Sequence, residues 1–327
     1  YNWQTAIAPE YGGNLCRLRH GELEILRTPD EPSLLDQNRA LYGLPVLFPP
    51  NRIADGEFYI DGRRYTLPVT ELPPRNNHLH GLPLRAGWDA ETDGNRIVMT
   101  WNYSPEHPAF AGFPFPFRLE LVYEFTQESV RQSLTAINAG TAALPCGAGF
   151  HSVFNTPERA RITASPWYWE ILRPRYLVSG RQLLWDRFNP SEWFDPARHV
   201  ISFHTRIETG SLDGKPFRGA ILDYGVKTVL YEVDQSYRYW YLWNQDPRYG
   251  FFCPEPMSWM VDAPNLKLSR DITGFRLLPP GERAVYTSRI SIRQGTKIMD
   301  VVKNHEALLL CKTLRQLSPD PIEHRLT

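Results

Sequence analysis

Between Phe117 and Phe125 the apolar side chains fall on every second residue, Phe117, Leu119, Leu121, Tyr123 and Phe125, and alternate mainly with Arg118, Glu120 and Glu124. Successive side chains of a strand point to opposite faces, so this pattern describes a strand with one buried face. Ile97–Tyr103, Val130–Ile137, Thr228–Val233, Tyr237–Trp243 and Ala284–Ile292 read the same way. Turn signals lie between them at Asp61-Gly62, Asp93-Gly94, Asp213-Gly214 and Pro279-Pro280-Gly281. The 29 prolines punctuate the chain without forming a polyproline tract. Many strands with regular turns imply an all-β fold, a sandwich or a barrel. No linker or internal repeat interrupts them, which favours one continuous domain.

The end of the chain differs. From Lys297 to Leu317, the residues Ile298, Val301, Val302, His305, Leu308, Leu309 and Leu314 recur close to helical spacing, which predicts an amphipathic helix of about five turns. Residues 1–296 are therefore expected to form the β domain, and residues 297–327 a C-terminal helical extension packed on it or used in a dimer contact.

Charge excludes several functions. Lys plus Arg and Asp plus Glu both number 36, so there is no basic footprint for nucleic acid. No apolar run approaches the roughly 18 residues of a membrane helix, so a soluble protein is expected. The aromatic share of 13% suits half-buried strands and also supplies platforms for sugar rings. Cys16, Cys146, Cys253 and Cys311 are widely separated, with no CxxC, which argues against a zinc knuckle or a disulfide framework. No secretory signal is visible at the start, which is Tyr1 rather than Met, and the cytoplasm is the expected compartment. P-loop, GxGxxG and GxSxG motifs are missing, so nothing supports nucleotide binding or serine hydrolysis.

Titratable residues stand out in Gly-, Pro- and aromatic-rich surroundings. In Asn77-His78-Leu79-His80-Gly81, two imidazoles at i and i+2 of a strand would share a face and could hold one metal. The first acid after them is Asp89, so metal binding is not expected, and His80 taken alone reads as a hydrogen-bonded structural histidine more readily than as a catalytic one. His151 follows the small-residue run Gly147-Ala148-Gly149, which would leave room for a ligand beside the backbone. Glu255 lies between two prolines after Phe251-Phe252-Cys253, where a solvated face does not explain a carboxylate. Asp223 in Ala220-Ile221-Leu222-Asp223 has a similar setting, and the donor fork of Arg52 suits hydroxyls or a carboxylate. Histidine and glutamate together can move protons near neutral pH without a covalent nucleophile.

These residues carry a family resemblance. Pro49-Pro50-Asn51-Arg52-Ile53-Ala54-Asp55-Gly56, then Asn77-His78-Leu79-His80-Gly81, resembles the aldose 1-epimerases, or galactose mutarotases. Leu134-Thr135-Ala136-Ile137-Asn138 leading to Gly149-Phe150-His151, and Glu255-Pro256 followed by Asp262-Ala263-Pro264-Asn265, fit the same family. The resemblance runs from about Ile7 to Ile292 and departs locally at Ser152-Val153-Phe154, where the family often has Pro-Tyr-Phe. It implies a large antiparallel β-sandwich of galactose-mutarotase type with an open cleft on one sheet. It also implies roles: His151 as acid at the ring oxygen, Glu255 as base at the anomeric hydroxyl, and Arg52, Asn77, His80 and Asp223 as sugar-binding residues.

The implied activity is mutarotation of a hexose or hexose derivative, with a monosaccharide as the partner, no cofactor, and a monomer or homodimer as the assembly. A carbohydrate-binding sandwich without catalysis is the alternative from another class. Within the enzyme class, Arg75, Arg85, Arg173 and Arg175 could serve a phosphorylated or sulfonated hexose. The assigned roles require His151 protonated and Glu255 ionised together, so a raised histidine pKa is expected.

Overall fold

The Phe117–Phe125 alternation forms a strand over those residues, with Phe117, Leu119, Leu121, Tyr123 and Phe125 buried. The computed structural model describes residues 2–186 and 188–294. The C-terminal helix expected from Lys297 onward lies outside the described residues, as does Cys311. The other expected strands are present as Arg96–Tyr103, Ser129–Asn138, Lys227–Val233, Tyr239–Trp243 and Arg283–Gln294. Strands make up 49% of the structure, against two short α-helices, Ser33–Gln37 and Arg270–Thr273, so the fold is all-β.

Two large sheets carry it. The first runs Arg159–Ile162, Gly219–Asp223, Lys227–Val233, Arg283–Gln294, Ser129–Asn138, Phe117–Phe125, Arg96–Tyr103, Asp89–Asp93, antiparallel throughout. The second runs Leu177–Leu184, Ala164–Leu172, Ser202–Ile207, Tyr239–Trp243, Phe251–Met257, Gly149–Phe150, Val46–Leu47, and is also antiparallel. One cluster of buried apolar side chains joins them, with Leu119, Leu121 and Tyr123 from the first sheet and Phe150, Trp240, Leu242 and Phe252 from the second. Among the described residues, no helix is long and apolar enough to cross a membrane. Cys16, Cys146 and Cys253 are free thiols, each buried.

The second sheet is apolar on both faces. In Tyr239–Trp243, Trp240 and Leu242 enter the joint core, while Tyr239, Tyr241 and Trp243 turn to the opposite side. Phe251–Met257 divides likewise, with Phe252 in the core and Phe251, Cys253, Glu255 and Met257 on the other face. Register then places Tyr241 directly across from Glu255 and Trp243 across from Cys253. That outer face is the floor of a cleft.

His204, on the neighbouring strand, shows what burial does to imidazoles here. It is fully buried with Nδ1 3.1 Å from the Trp240 carbonyl oxygen, and burial pushes its pKa down to about 3. The unfolded chain takes up a proton on this residue near 6.5 and the folded chain does not. The folding stability it supports is therefore full above about 6.5 and declines as pH falls, by about 1.4 kcal/mol per pH unit. Glu255, whose carboxyl burial raises, acts in the opposite sense and masks part of the slope. A comparison that isolates His204 is needed: His204→Leu should flatten the stability–pH curve between pH ~6 and ~5 by about that slope in urea titrations. An unchanged slope would show that His204 is protonated in the native state.

Candidate active site

Each wall of the cleft is built by a different backbone device. The Asn77–Leu79 strand pairs with Arg52–Ala54 and then stops, because His80 and Gly81 both adopt positive φ, +66° and +80°. At Gly81 the close approach is obligatory: a Cβ there would lie 2.3 Å from the Phe48 carbonyl oxygen. The pair of left-handed residues breaks the two-residue alternation. His80 lines the cleft, whereas His78 is buried with Nδ1 2.7 Å from the Pro68 carbonyl oxygen. The two imidazoles therefore differ in setting, one at the cleft and one turned to a backbone carbonyl.

His151 follows the Gly149–Phe150 strand, and its backbone N–H donates to the Pro45 carbonyl at 3.1 Å. The small residues before it serve packing rather than a ligand. A Cβ on Gly147 would sit 2.3 Å from the Trp259 ring, and one on Gly149 would be 2.9 Å from the Pro256 carbonyl oxygen. The Ser152-Val153-Phe154 departure is also internal: Ser152 Oγ lies 3.0 Å from the Tyr231 hydroxyl, and all three residues are buried.

His151 and Glu255 meet on the floor. His151 Nε2 is 3.4 Å from Glu255 Oε1, and both residues are buried. The His151 ring packs edge-on against His80 at 5.0 Å between centroids and against Trp243 at 5.5 Å. His151 Nδ1, His80 Nδ1 and Glu255 Oε2 have no hydrogen-bond partner, so polar capacity is unused at the floor. Burial pushes the His151 pKa down to about 3, with the Arg52 charge adding to it, and holds Glu255 well above the carboxylate range against the pull of Arg52. The histidine is therefore lowered, not raised as the assigned roles require. Both charged forms are disfavoured by desolvation, so burial favours a neutral imidazole beside a neutral carboxyl. His80 is likewise held neutral, chiefly by burial.

Arg52 lines the cleft in a fixed pose. Its Nε and Nη2 donate to Glu71 Oε2 and Oε1 at 2.8 and 2.9 Å, and Nη1 reaches Asn51 Oδ1 at 3.4 Å. Burial alone would raise the Glu71 carboxyl, but the bonds and charge of Arg52 outweigh it and keep the carboxylate ionised. Glu71, Tyr241 and Trp243 are components that motif reading missed. Tyr241 and Trp243 were signalled only by the unusual apolarity of both faces of their strand. Glu71, in a proline-flanked loop, gave no signal.

Two of the expected sugar-binding residues are placed elsewhere. The Asn77 amide is consumed within the protein: Nδ2 donates to Glu71 Oε2 at 2.8 Å and to the Arg175 carbonyl at 3.0 Å, and Oδ1 accepts from Arg175 at 3.2 Å. It positions Glu71 and through it Arg52. Asp223 ends a strand of the first sheet, where Oδ2 accepts from Arg159 at 2.7 Å and Oδ1 from the Gly225 N–H at 3.0 Å. An apolar strand ending in an acid gives the same sequence pattern whether the acid faces a ligand or a neighbouring arginine. Of the four arginines considered for an anion, Arg75, Arg85 and Arg173 line the cleft, and Arg175 is turned into an ion pair with Asp55 at 2.9 Å.

Among the described residues, one three-residue ligand set is brought together. His151, Cys253 and Glu255 bring a ring nitrogen, a thiol and a carboxylate within 4.8 Å of one another. Burial holds both the Cys253 thiol and the Glu255 carboxyl well above their usual values, so a cation entering here would have to displace their protons.

The cleft, about 520 Å³ in volume, thus joins a buried imidazole–carboxyl pair, an anchored guanidinium and aromatic walls. Comparison with known proteins agrees. The chain is 31% identical to the Escherichia coli protein YihR over 109 residues, 32% of this chain and 34% of that protein, so this match spans about a third of its relative. It is 25% identical to Escherichia coli YphB over 260 residues, 74% of this chain and 80% of that one. A crystal structure of a galactose mutarotase-like protein from Clostridium acetobutylicum superimposes with a TM-score of 0.80 at 27% identity, covering 90% of this chain and 93% of that chain. The family profile described as aldose 1-epimerase matches residues 4–292, and with that span the chain belongs to the aldose 1-epimerase family.

Proposed function

We propose that the protein is a mutarotase that interconverts the α and β anomers of a hexose by acid–base ring opening, with Glu255 as base and His151 as acid. The observation that carries this reading is the buried contact at 3.4 Å between His151 Nε2 and Glu255 Oε1 on the cleft floor. A ligand-binding site alone gains nothing from burying two groups of opposite proton affinity.

The proton count balances without an outside partner. With the shared proton on His151 Nε2, Glu255 accepts the O1 proton, His151 donates to the ring oxygen, the C1–O5 bond breaks and C1=O1 forms. That step ends with Glu255 protonated and His151 neutral, the form that burial favours. Rotation about C1–C2 presents the other carbonyl face. On closure the O5 hydroxyl returns its proton to His151, Glu255 returns one to O1, and the other anomer results. Arg52 faces Glu255 closely enough to favour its carboxylate, and it lines the same cleft, where it would donate to a hydroxyl or ring oxygen. Three free, buried thiols support a reducing, cytoplasmic setting.

Anomer exchange measured by NMR on the purified protein tests the reading. Saturation transfer between hexose anomers should appear at enzyme concentrations far below the sugar. Sugar binding without exchange would leave a carbohydrate-binding protein instead. The pH profile is specific. Activity needs one proton on the pair, so kcat/KM should be flat through neutral pH. It should fall on the acid side as a second proton enters, with His151 held down near about 3. On the basic side it should fall only as the raised Glu255 position releases its proton. A basic limb at the free-imidazole value of ~6.5 would show that His151 titrates unshifted.

A further inference from the structure

The cleft holds more positive charge than its function as a neutral sugar site requires. Arg39, Arg52, Arg75, Arg85 and Arg173 line it, and the lining carboxylates are Asp36 and Glu255. The chain as a whole is balanced at 36 basic and 36 acidic residues, so this is a local segregation. Glu255 is neutralised by burial, and Asp36 lies against the Tyr11 hydroxyl. Arg52 and Arg75 share Glu71, at 2.8 and 3.0 Å. Arg85 and Arg173 have no carboxylate in ion-pair range among the described residues.

Arg85 is the less compensated of these two. It ends the Pro83–Arg85 turn, and Arg39 donates to the Leu84 carbonyl of that same turn at 3.4 Å. Two guanidinium groups are thereby brought to one wall, and the Arg39 charge weighs against that of Arg85, an exposed residue of the cleft lining. The Arg85 charge also reaches His80 on the floor. Arg173, also in the cleft lining, has the Tyr176 ring, 5.7 Å away, as a cation–π partner. A like-charge pair on one wall of a cleft is relieved when an anion enters, and the guanidinium fork matches phosphate, sulfonate and carboxylate oxygens.

We propose that the substrate is a hexose bearing an anionic group, and that Arg85, beside Arg39, receives that group while the anomeric centre lies over His151 and Glu255. This deepens the mutarotase reading and rests on it. Anomer exchange with glucose, glucose 6-phosphate, 6-deoxy-6-sulfoglucose and glucuronate distinguishes the sources of charge. One of the three anions should exceed glucose in kcat/KM by at least about tenfold, the worth of a charge-assisted hydrogen bond. Arg85→Gln should collapse that ratio by about the same factor, and Arg85→Lys should restore part of it. Arg289→Gln, which removes an exposed charge paired with Glu232 on the first sheet, should leave the ratio unchanged.

Glucose turned over as well as every anion would overturn this inference and leave the mutarotase intact. Exchange of none of the four sugars would overturn both. A preference that survives Arg85→Gln and disappears in Arg173→Gln would overturn the assignment to Arg85.

Discussion

Glu255→Gln should lower the anomer-exchange rate at least about 10²-fold while leaving the fold as stable as the parent, or slightly more so. The two halves of that expectation come from one fact. The Glu255 carboxyl is buried and held in its neutral form, so the uncharged amide of similar shape costs the fold little. The same substitution removes the carboxyl proposed to take the O1 proton, 3.4 Å from His151 Nε2. His151→Asn should cost a similar factor. Because the two residues share one proton, the double variant should be little worse than either single one. Rates come from NMR exchange and stabilities from urea unfolding. Multiplicative losses in the double variant would mean that the residues act independently.

The second large effect is structural. Glu71→Ala should destabilise the protein by about 3–5 kcal/mol, because it strands the Arg52 guanidinium in a buried position without its carboxylate. The contrast is Glu57→Ala, which removes an ion pair whose arginine, Arg64, is 61% exposed, and which should cost less than about 1 kcal/mol. Unfolding of both variants in denaturant measures the difference. Glu71→Ala should also raise KM, since Arg52 loses both bonds that fix its direction. A cost near that of Glu57→Ala would show that Arg52 is held by packing rather than by Glu71.

Much of the site was legible before the structure, and the failures have physical causes. His151, His80, Glu255 and Arg52 were each set in apolar or turn-rich segments, where a charge or imidazole is hard to explain by solvation, and all line one cleft. Asn77 and Asp223 sit in equally buried settings but spend their polar atoms on Glu71 and Arg175, and on Arg159 and Gly225. Sequence exposes the cost of burying a polar group; it does not say which partner meets that cost. The direction of the His151 shift was misread for a related reason. A nearby carboxylate raises an imidazole only if it stays ionised, and burial removes the charge from Glu255 as well.

By itself, then, the sequence determined the local elements and the binary faces. Period-two alternation leaves a chain no helical option for burying Phe117, Leu119, Leu121, Tyr123 and Phe125 together, and the observed strand has those bounds. Only tertiary structure decided which faces meet. Trp240 and Tyr241 are adjacent, bulky and aromatic, yet one fills the core between the sheets and the other stands across from Glu255 in the cleft. The reason is that alternation assigns residues to two sides of a strand without naming either side. Which side receives the second sheet, and which is left open to a ligand, depends on pairings between segments as distant as Arg52–Ala54, Gly149–Phe150 and Phe251–Met257.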